Sequence, residues 1–157
     1  MNRVLRLSFA LLALLFVAET GAQTIALGER VPRIKKAKWL GENTPPKSEF
    51  TIIEFVHSAS APCRQTVERI SRIVDELSNT SLVLVTHQGE NFIDDWLKGC
   101  VTPRVGVVVE DSRIRTSFGV NYAPYAVILN RKRKALWFGN PQLLDNQTLA
   151  KIMTTAR

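Results

Sequence analysis

Apolar and polar residues follow two different periodicities along the chain, and these periodicities predict an alternation of strands and helices. Residues 51–56, Thr-Ile-Ile-Glu-Phe-Val, form a nearly continuous apolar and β-branched run, which is typical of a buried strand. From Pro62 the spacing becomes helical, with apolar residues on one face and charged residues elsewhere. The apolar face of this predicted helix carries Val67, Ile70, Val74 and Leu77.

The rest of the chain continues this alternation. Residues 23–50 are irregular in pattern, and we expect one short strand within them. Gly99 is the predicted cap at the end of the second helix, and Asp145 is the predicted cap at the start of the last. Such an order predicts one domain with a mostly parallel sheet, covered by helices and ending in an antiparallel hairpin. The further predicted elements are strands at 82–85, 105–109, 126–129 and 135–138, and helical segments at 92–97, at 114–118 and after Asp145.

The N-terminus has the order of a secretory signal peptide. Arg3 and Arg6 precede an apolar run at 7–18, and small residues follow it. We expect cleavage after Ala22, which makes residues 1–22 a signal peptide. The alternative is an uncleaved membrane anchor, although the run is short of the roughly 20 residues that span a bilayer.

Cleavage at this position leaves residues 23–157 as the mature domain, in the periplasm or secreted. No cysteine lies near the cleavage site, which excludes a bacterial lipoprotein. No stable membrane span is expected after cleavage.

Charge adds little to this picture. The formal net charge is +7, and the expected mature chain keeps +6 because the removed segment holds two arginines and Glu19. Basic residues concentrate at 35–38 and 131–134, and we interpret both stretches as solvated loops. No aromatic residues interleave with them and no nucleic-acid motif accompanies them, so no nucleic-acid partner is expected.

Cys63 is the first candidate for chemistry, because it lies just inside the start of a predicted helix. Ser60 suits the N-cap and Pro62 suits the first turn. Unpaired N–H groups and the helix dipole favour an anion there, which predicts a lowered pKa for the Cys63 thiol. The alternative is a buried structural thiol, since free cysteine is among the most buried residue types.

Several segments resemble exported thioredoxin-like oxidoreductases, the redoxins of the TlpA-like branch. Residues 55–64, Phe-Val-His-Ser-Ala-Ser-Ala-Pro-Cys-Arg, resemble their active-site segment, which typically reads Phe-Trp-Ala-x-Trp-Cys-Pro-Pro-Cys-Arg. Residues 119–125 resemble their cis-proline loop, residues 28–32 their usual opening, and residues 139–141 the approach to their last helix. The resemblance covers residues 27–155 and implies an α/β, thioredoxin-like fold with a central mixed sheet flanked by helices.

The departures from the family pattern concern the chemistry itself. Ser60 replaces the first cysteine, Val56 and Ala59 replace the two tryptophans, and Glu68 replaces a helix-kinking proline. In the family the first cysteine attacks substrate disulfides and the second resolves the mixed disulfide. A serine hydroxyl is hardly ionised at neutral pH and forms no disulfide, so dithiol exchange is blocked at this motif.

The resemblance also implies roles for residues outside the motif. Glu54 matches an acidic residue beneath the family's cysteine pair that handles the proton of the second cysteine, and desolvation there raises a carboxyl pKa. A cis Pro124 would place its neighbouring backbone beside Cys63, where the family docks extended peptides. The implied catalytic residues are Cys63, Ser60 and Glu54, and the implied docking residues are Tyr122, Ala123 and Pro124.

Three functions remain open at this stage. The first is a monothiol protein of the thiol-disulfide oxidoreductase class, whose partners are protein or peptide thiols and disulfides in the envelope. The second is a redox-inactive module that binds peptides in the groove near Pro124. The third is a peroxidase, because Ser60-x-x-Cys63 resembles the Thr/Ser-x-x-Cys of peroxiredoxins, although Val56 replaces their proline and no activating arginine can be assigned.

The remaining candidate ligands and thiols have no assigned role. His57 and His87 show no metal-ligand spacing, so no metal and no cofactor is expected. We expect Cys100 not to pair with Cys63. Cys63 opens one predicted helix and Cys100 follows the end of the next. Helix starts lie at one end of such a sheet and helix ends at the other, whereas a disulfide needs Cα atoms within about 7 Å.

Overall fold

The computed structural model describes residues 25–35, 37–41, 44–110 and 112–155, so the expected signal segment lies outside the described residues. Strands and helices alternate along most of this length. In chain order they are β1 (Lys38–Trp39), β2 (Phe50–Phe55), α1 (Ala61–Glu76), β3 (Thr80–Thr86), α2 (Glu90–Trp96), β4 (Val105–Val109), α3 (Arg113–Ser117), β5 (Tyr125–Asn130), β6 (Ala135–Gly139), a 3-10 turn (Pro141–Leu143) and α4 (Asn146–Thr155).

The six strands form one mixed sheet in the order β1-β4-β3-β2-β5-β6. β2, β3 and β4 run parallel at its centre, and β1, β5 and β6 join antiparallel. Glu54 of β2 stands opposite Leu84 of β3 and Ala126 of β5, so it occupies the middle of the sheet. The expected α/β architecture, with an antiparallel hairpin after parallel strands, is confirmed.

Alternation along β2 divides the core into two layers, because successive side chains of a strand point to opposite faces. Phe50, Ile52 and Val56 belong to the layer under α1 and α4, together with Cys63. Ile53 and Phe55 belong to the opposite layer, together with Ile114 and Phe118 of the α3 region. Full burial of each large apolar side chain contributes about 1.5–3 kcal/mol.

The predicted boundaries agree closely with these elements, with two differences. Gly99 does not cap α2: the C-cap is Leu97, and Gly99 takes a φ of 80° in the turn that follows. The 3-10 turn at Pro141–Leu143 was not predicted, because three residues are too few for a periodic pattern. Asp145 caps α4 as expected, with its carboxylate accepting the Thr148 N–H at 2.6 Å. Within the described ranges, no helix has the length and apolar character that crossing a bilayer demands.

Candidate functional site

The first turn of α1 is built by its own sequence. Ser60 has extended backbone angles (φ −99°, ψ 106°), and its side-chain oxygen accepts the Cys63 N–H at 3.4 Å. Pro62 lies in the first turn, where its missing N–H leaves no intrahelical hydrogen bond unmade. Ser60 is therefore the helix N-cap, as predicted, and Cys63 points from the first turn into the protein.

The Cys63 thiol is fully buried, with 0% of the residue exposed. Burial raises its pKa, and this effect exceeds the opposing hydrogen bonds that the Ser60 hydroxyl and the His57 backbone N–H donate to the sulfur. The expected lowering of the Cys63 pKa is therefore wrong. The physical reason is that desolvation of a thiolate outweighs the partial charges at a helix start.

Glu54 lies on the same face of the sheet as Cys63 and is also 0% exposed. Burial raises its pKa to about 8, against smaller lowering effects from the Thr66 hydrogen bond and the Arg69 charge. A carboxyl with this pKa is mostly protonated at neutral pH. Its ionised form would raise the pKa of the Cys63 thiol, so the two groups are electrostatically coupled.

Thr66 links the Glu54 carboxyl to the backbone of Cys63, and the sequence pattern did not indicate it. Its hydroxyl lies 2.5 Å from Glu54 Oε1 and 3.0 Å from the Cys63 carbonyl oxygen. A hydroxyl donates one proton but accepts as well. A protonated Glu54 can donate to Thr66, which then donates to the Cys63 carbonyl. The detectable signal was a polar residue at position 66, on the apolar face that Cys63, Val67 and Ile70 define.

Arg115 of α3 is the second missed residue. Its guanidinium lies 5.7 Å from the centre of the Phe55 ring, and its Nε lies 3.8 Å from Glu110 Oε1. Its charge lowers the pKa of the Cys63 thiol, although less than burial raises it. Position 115 falls in a short segment far along the chain from Cys63, so no local pattern could have indicated it.

The predicted docking loop runs from α3 into β5. The Ala123–Pro124 peptide bond is cis. Ala123 packs against the core layer that contains Cys63, and Pro124 is buried. Tyr122 is 52% exposed and meets Tyr125 edge-on, with ring centres 5.3 Å apart. The loop therefore exposes the aromatic side chain of Tyr122 to solvent, while the two residues that follow it are anchored in the core.

The loops that follow β2 and β3 are joined beside the same helix start. Gln88 accepts the Ser58 N–H and donates to the Ser58 hydroxyl, each at 2.6 Å. Beside this connection, the ring centres of His57 and His87 lie 5.2 Å apart. On the same loop, His57 Nδ1 accepts the Ala59 N–H at 3.1 Å.

Cys63 and Cys100 are both free, as expected, and both are buried. Arg64 follows Cys63 in α1, and its guanidinium donates to the carbonyl oxygens of Trp96 and Lys98 and acts on the Cys100 thiol. α2 has only seven residues, so it ends about 10 Å from its start and does not reach the far end of the sheet. Cys100 therefore lies alongside α1.

The chain was compared with protein families, with curated proteins and with solved structures. No family model matches the chain, and no curated protein matches it. Solved structures do match. A thio-disulfide isomerase from Thermus thermophilus superposes with a TM-score of 0.64 and 16% identity, covering 84% of this chain and 97% of that one. A peroxiredoxin-like protein from Aquifex aeolicus gives 0.63 and 11% identity, covering 85% and 90%.

A third example is StoA from Bacillus subtilis, with a TM-score of 0.56 and 19% identity over 69% of this chain and 85% of that one. The chain has a thioredoxin-like fold. Identities this low establish the fold alone, and the chemistry must be argued from the site.

Proposed function

We propose that this chain is an exported thioredoxin-fold protein with a monothiol site, which no longer carries out dithiol exchange and binds peptide segments of envelope proteins. Its partners are protein or peptide thiols and disulfides. The proposed protein is of the thiol-disulfide oxidoreductase class, lacks the exchange step and retains the peptide-docking surface.

The environment of Cys63 carries the proposal. Exchange requires an accessible thiolate, because the thiolate is the nucleophile. Position 60, where an exposed nucleophile would stand, holds a serine hydroxyl that caps the helix. The thiol that remains is fully buried and its pKa is raised. Both requirements for attack are thus unmet in the folded protein.

The docking loop supports the binding half of the proposal. Tyr122 exposes an aromatic ring to solvent, and aromatic residues frequently contribute a large share of the binding energy at protein interfaces. Ala123 and Pro124 place this ring next to the buried layer that holds Cys63. An extended peptide lying along residues 122–124 would meet the ring without reaching the sulfur.

Thiol titration tests the loss of exchange. A Cys100→Ala variant keeps Cys63 as its single thiol, and a chromogenic disulfide reagent at pH 7 reports its accessibility. We expect reaction over hours in the native protein and complete reaction within minutes in guanidinium chloride, and no reduction of insulin above background. One equivalent reacting within seconds in the native state would instead establish Cys63 as a reactive monothiol.

A peptide titration tests binding separately. We expect an extended, cysteine-containing peptide to shift the amide resonances of residues 119–125, and Tyr122→Ala to weaken binding by about fivefold or more. Leu143→Ala is the matched control, because Leu143 is an exposed apolar side chain (74%) outside the loop. Equal weakening by both variants, or no shifts, would contradict a docking role.

A peroxidase is the second candidate, and Arg115 is the observation that favours it. The sequence had offered no arginine, whereas the structure supplies a cation that lowers the Cys63 pKa. The reaction would take the thiolate and a peroxide ROOH to a sulfenate and the alcohol ROH. Two molecules of an external thiol would then return the sulfenate to the thiolate, with release of water and formation of a disulfide between them. Consumption of hydrogen peroxide by wild type but not by Cys63→Ser would favour this candidate over the binding function.

A further inference from the structure

A small cleft lies between one side of α1 and the turn that follows α2. Its volume is about 360 Å³, near the lower end of the range of about 300–1,000 Å³ for ligand pockets. Cys100 lines it from the turn. The residues that line it from α1 recur at helical spacing and therefore form one stripe along the helix. They are Arg64, Glu68, Ser71, Arg72 and Asp75.

Ser71 is the feature of this cleft that points to a ligand. Only 4% of the residue is exposed, and its hydroxyl has no hydrogen-bond partner among the residues that the structure describes. A buried hydroxyl without a partner is unfavourable, because it has given up its hydrogen bonds to water. Since Ser71 lines the cleft, a polar group of a ligand bound there would supply the missing partner.

Cys100 is the reactive group of the cleft. The residue is 3% exposed, whereas Cys63 is 0% exposed. Burial raises the pKa of the Cys100 thiol, and the charge of Arg64 and the hydrogen bond from its guanidinium oppose this effect. A cation in contact with a sulfur stabilises the thiolate, which is the form that reacts. The small exposed fraction favours a small reagent over the disulfide of a folded protein.

The charges of the cleft balance in number, and their contacts are local. Arg64 Nε lies 2.5 Å from Glu68 Oε1, and Arg72 Nε donates to the Glu68 carbonyl oxygen at 3.2 Å. Asp75 accepts the Thr102 hydroxyl at 2.6 Å. Two arginines and two carboxylates leave no net charge to attract a polyanion or a polycation. A zwitterion suits such a lining, because each of its charges can face a group of opposite sign.

We propose that Cys100 is a thiolation site, at which the cleft accepts a small zwitterionic disulfide of the cystine type and Cys100 keeps half of it as a mixed disulfide. The Cys100 thiolate attacks one sulfur, so that a new S–S bond to Cys100 forms and the original S–S bond breaks. The other half leaves as a thiolate and takes up the proton that Cys100 has lost. The ammonium or carboxylate group of the bound half supplies the hydrogen-bond partner of Ser71.

Peptide mapping of the wild-type protein tests the site directly. The native protein is incubated with cystine at pH 7, the remaining thiols are alkylated, and tryptic peptides are analysed without reduction. Trypsin separates the two thiols, because Cys63 falls in peptide 48–64 and Cys100 in peptide 99–104. We expect the cysteinyl group on peptide 99–104 at least tenfold more often than on peptide 48–64. Equal labelling of the two peptides, or an unlabelled Cys100, would overturn the proposal.

This experiment is independent of the proposed function, because Cys63 takes no part in the reaction. A reactive Cys63 would contradict the loss of exchange at the helix start and would appear on peptide 48–64. An unreactive Cys100 would appear on peptide 99–104 and would leave the interpretation of Cys63 unchanged.

Oxidised glutathione tests the class of ligand, because it is larger than cystine and carries a net negative charge. Each rate of Cys100 thiolation is divided by the rate for the same chain unfolded in urea, which removes the intrinsic reactivity of the disulfide. We expect the normalised rate with cystine to be fivefold or more above that with oxidised glutathione. An equal or higher rate with oxidised glutathione would overturn the assignment of a small zwitterion.

Ser71→Ala tests whether the cleft contributes to the reaction. The change removes a hydroxyl that has no partner, so the fold loses no hydrogen bond, and we expect thiolation by cystine to slow threefold or more. Ser78→Ala is the matched control, because Ser78 is an exposed serine just beyond α1 and outside the cleft. Equal rates for the two variants would show that Cys100 reacts without help from the cleft and would overturn the proposed site.

Discussion

Ser60 and Cys63 belong to the same turn of α1 but stand in different environments. The Ser60 oxygen caps the helix at the protein surface, whereas the Cys63 sulfur is enclosed by core residues. Replacing one oxygen atom by sulfur at position 60 would place a second thiol three residues before Cys63, at the end of the helix where a partner disulfide can arrive.

Ser60→Cys should therefore create a redox-active pair with Cys63. Serine and cysteine differ little in size, and the lost cap costs about 1 kcal/mol, which the fold should tolerate. We expect the oxidised variant to lose two mass units relative to the reduced form and to reduce insulin, while wild type does neither.

Ser58→Cys is the control for this variant, because it adds a thiol to the same loop without the two-residue spacing. A folded Ser60→Cys protein that forms no 60–63 disulfide would show that the turn does not bring the two side chains within bonding distance.

Glu54 determines a second property at this scale, the pH dependence of stability. Its ordinary pKa is 4.5 and its folded pKa is about 8. Below pH 4.5 both states are protonated. Between pH 4.5 and 8 the unfolded state ionises while the folded state does not, so stability falls as pH rises, and above pH 8 the loss levels off.

Glu54→Gln should remove this loss. Each pKa unit corresponds to about 1.4 kcal/mol, so we expect the variant to gain about 2–4 kcal/mol over wild type at pH 8 relative to the difference at pH 5. Urea unfolding at both pH values measures this. Glu68→Gln, at a half-exposed carboxylate of α1, should show no such gain, and a pH-independent effect of Glu54→Gln would disprove the assignment.

At the scale of elements, α1 is held from both sides. Its inner face packs on the sheet through Val67, Ile70 and Val74. On another side, Arg69 donates to the carbonyl oxygens of Leu144 and of Pro141, the latter at 2.6 Å. These bonds join the helix that carries Cys63 to the 3-10 turn before α4.

Arg69→Gln should lower the free energy of unfolding by about 1–3 kcal/mol, because two partly buried carbonyl oxygens lose a charged donor. Arg72→Gln lies one turn later on the same helix, where the side chain is exposed, and should change stability by less than about 0.5 kcal/mol. Guanidinium unfolding of the two variants compares them directly. Equal effects would mean that the contacts of Arg69 contribute nothing beyond its charge.

At the scale of the whole molecule, the sheet separates two core layers. Cys63 lies in the layer under α1, and Ile114 of α3 lies in the opposite layer. The compartment that receives the protein decides which partners its surface can meet.

We expect the protein isolated from its native host to begin at Gln23, and N-terminal sequencing checks this. Leu12→Arg places a charge in the apolar run and should leave the full chain in the cytoplasm, since a signal peptide needs an uninterrupted apolar segment. Protein found outside the cytoplasm and still beginning at Met1 would establish the anchor alternative instead.

The sequence by itself determined the elements and their order. Hydrophobic periodicity is a local property, and it predicted β2, α1, β4 and the hairpin within one or two residues. The N-cap at Ser60 and the cap at Asp145 also depend on neighbouring residues alone. The expectation of a blocked dithiol step also depends on the identity of one side chain, Ser60.

Tertiary structure decided everything that depends on burial or on distant partners. Helix-start chemistry predicted a lowered pKa for Cys63, but enclosure by residues from several elements raises it, since desolvation is set by the whole surroundings. Three pairs of residues that are far apart in sequence come together in the fold. They are Arg115 with Cys63, Arg64 with Cys100, and Arg33 with Arg113. No local sequence pattern predicts these contacts, because they depend on the order in which the strands pair in the sheet.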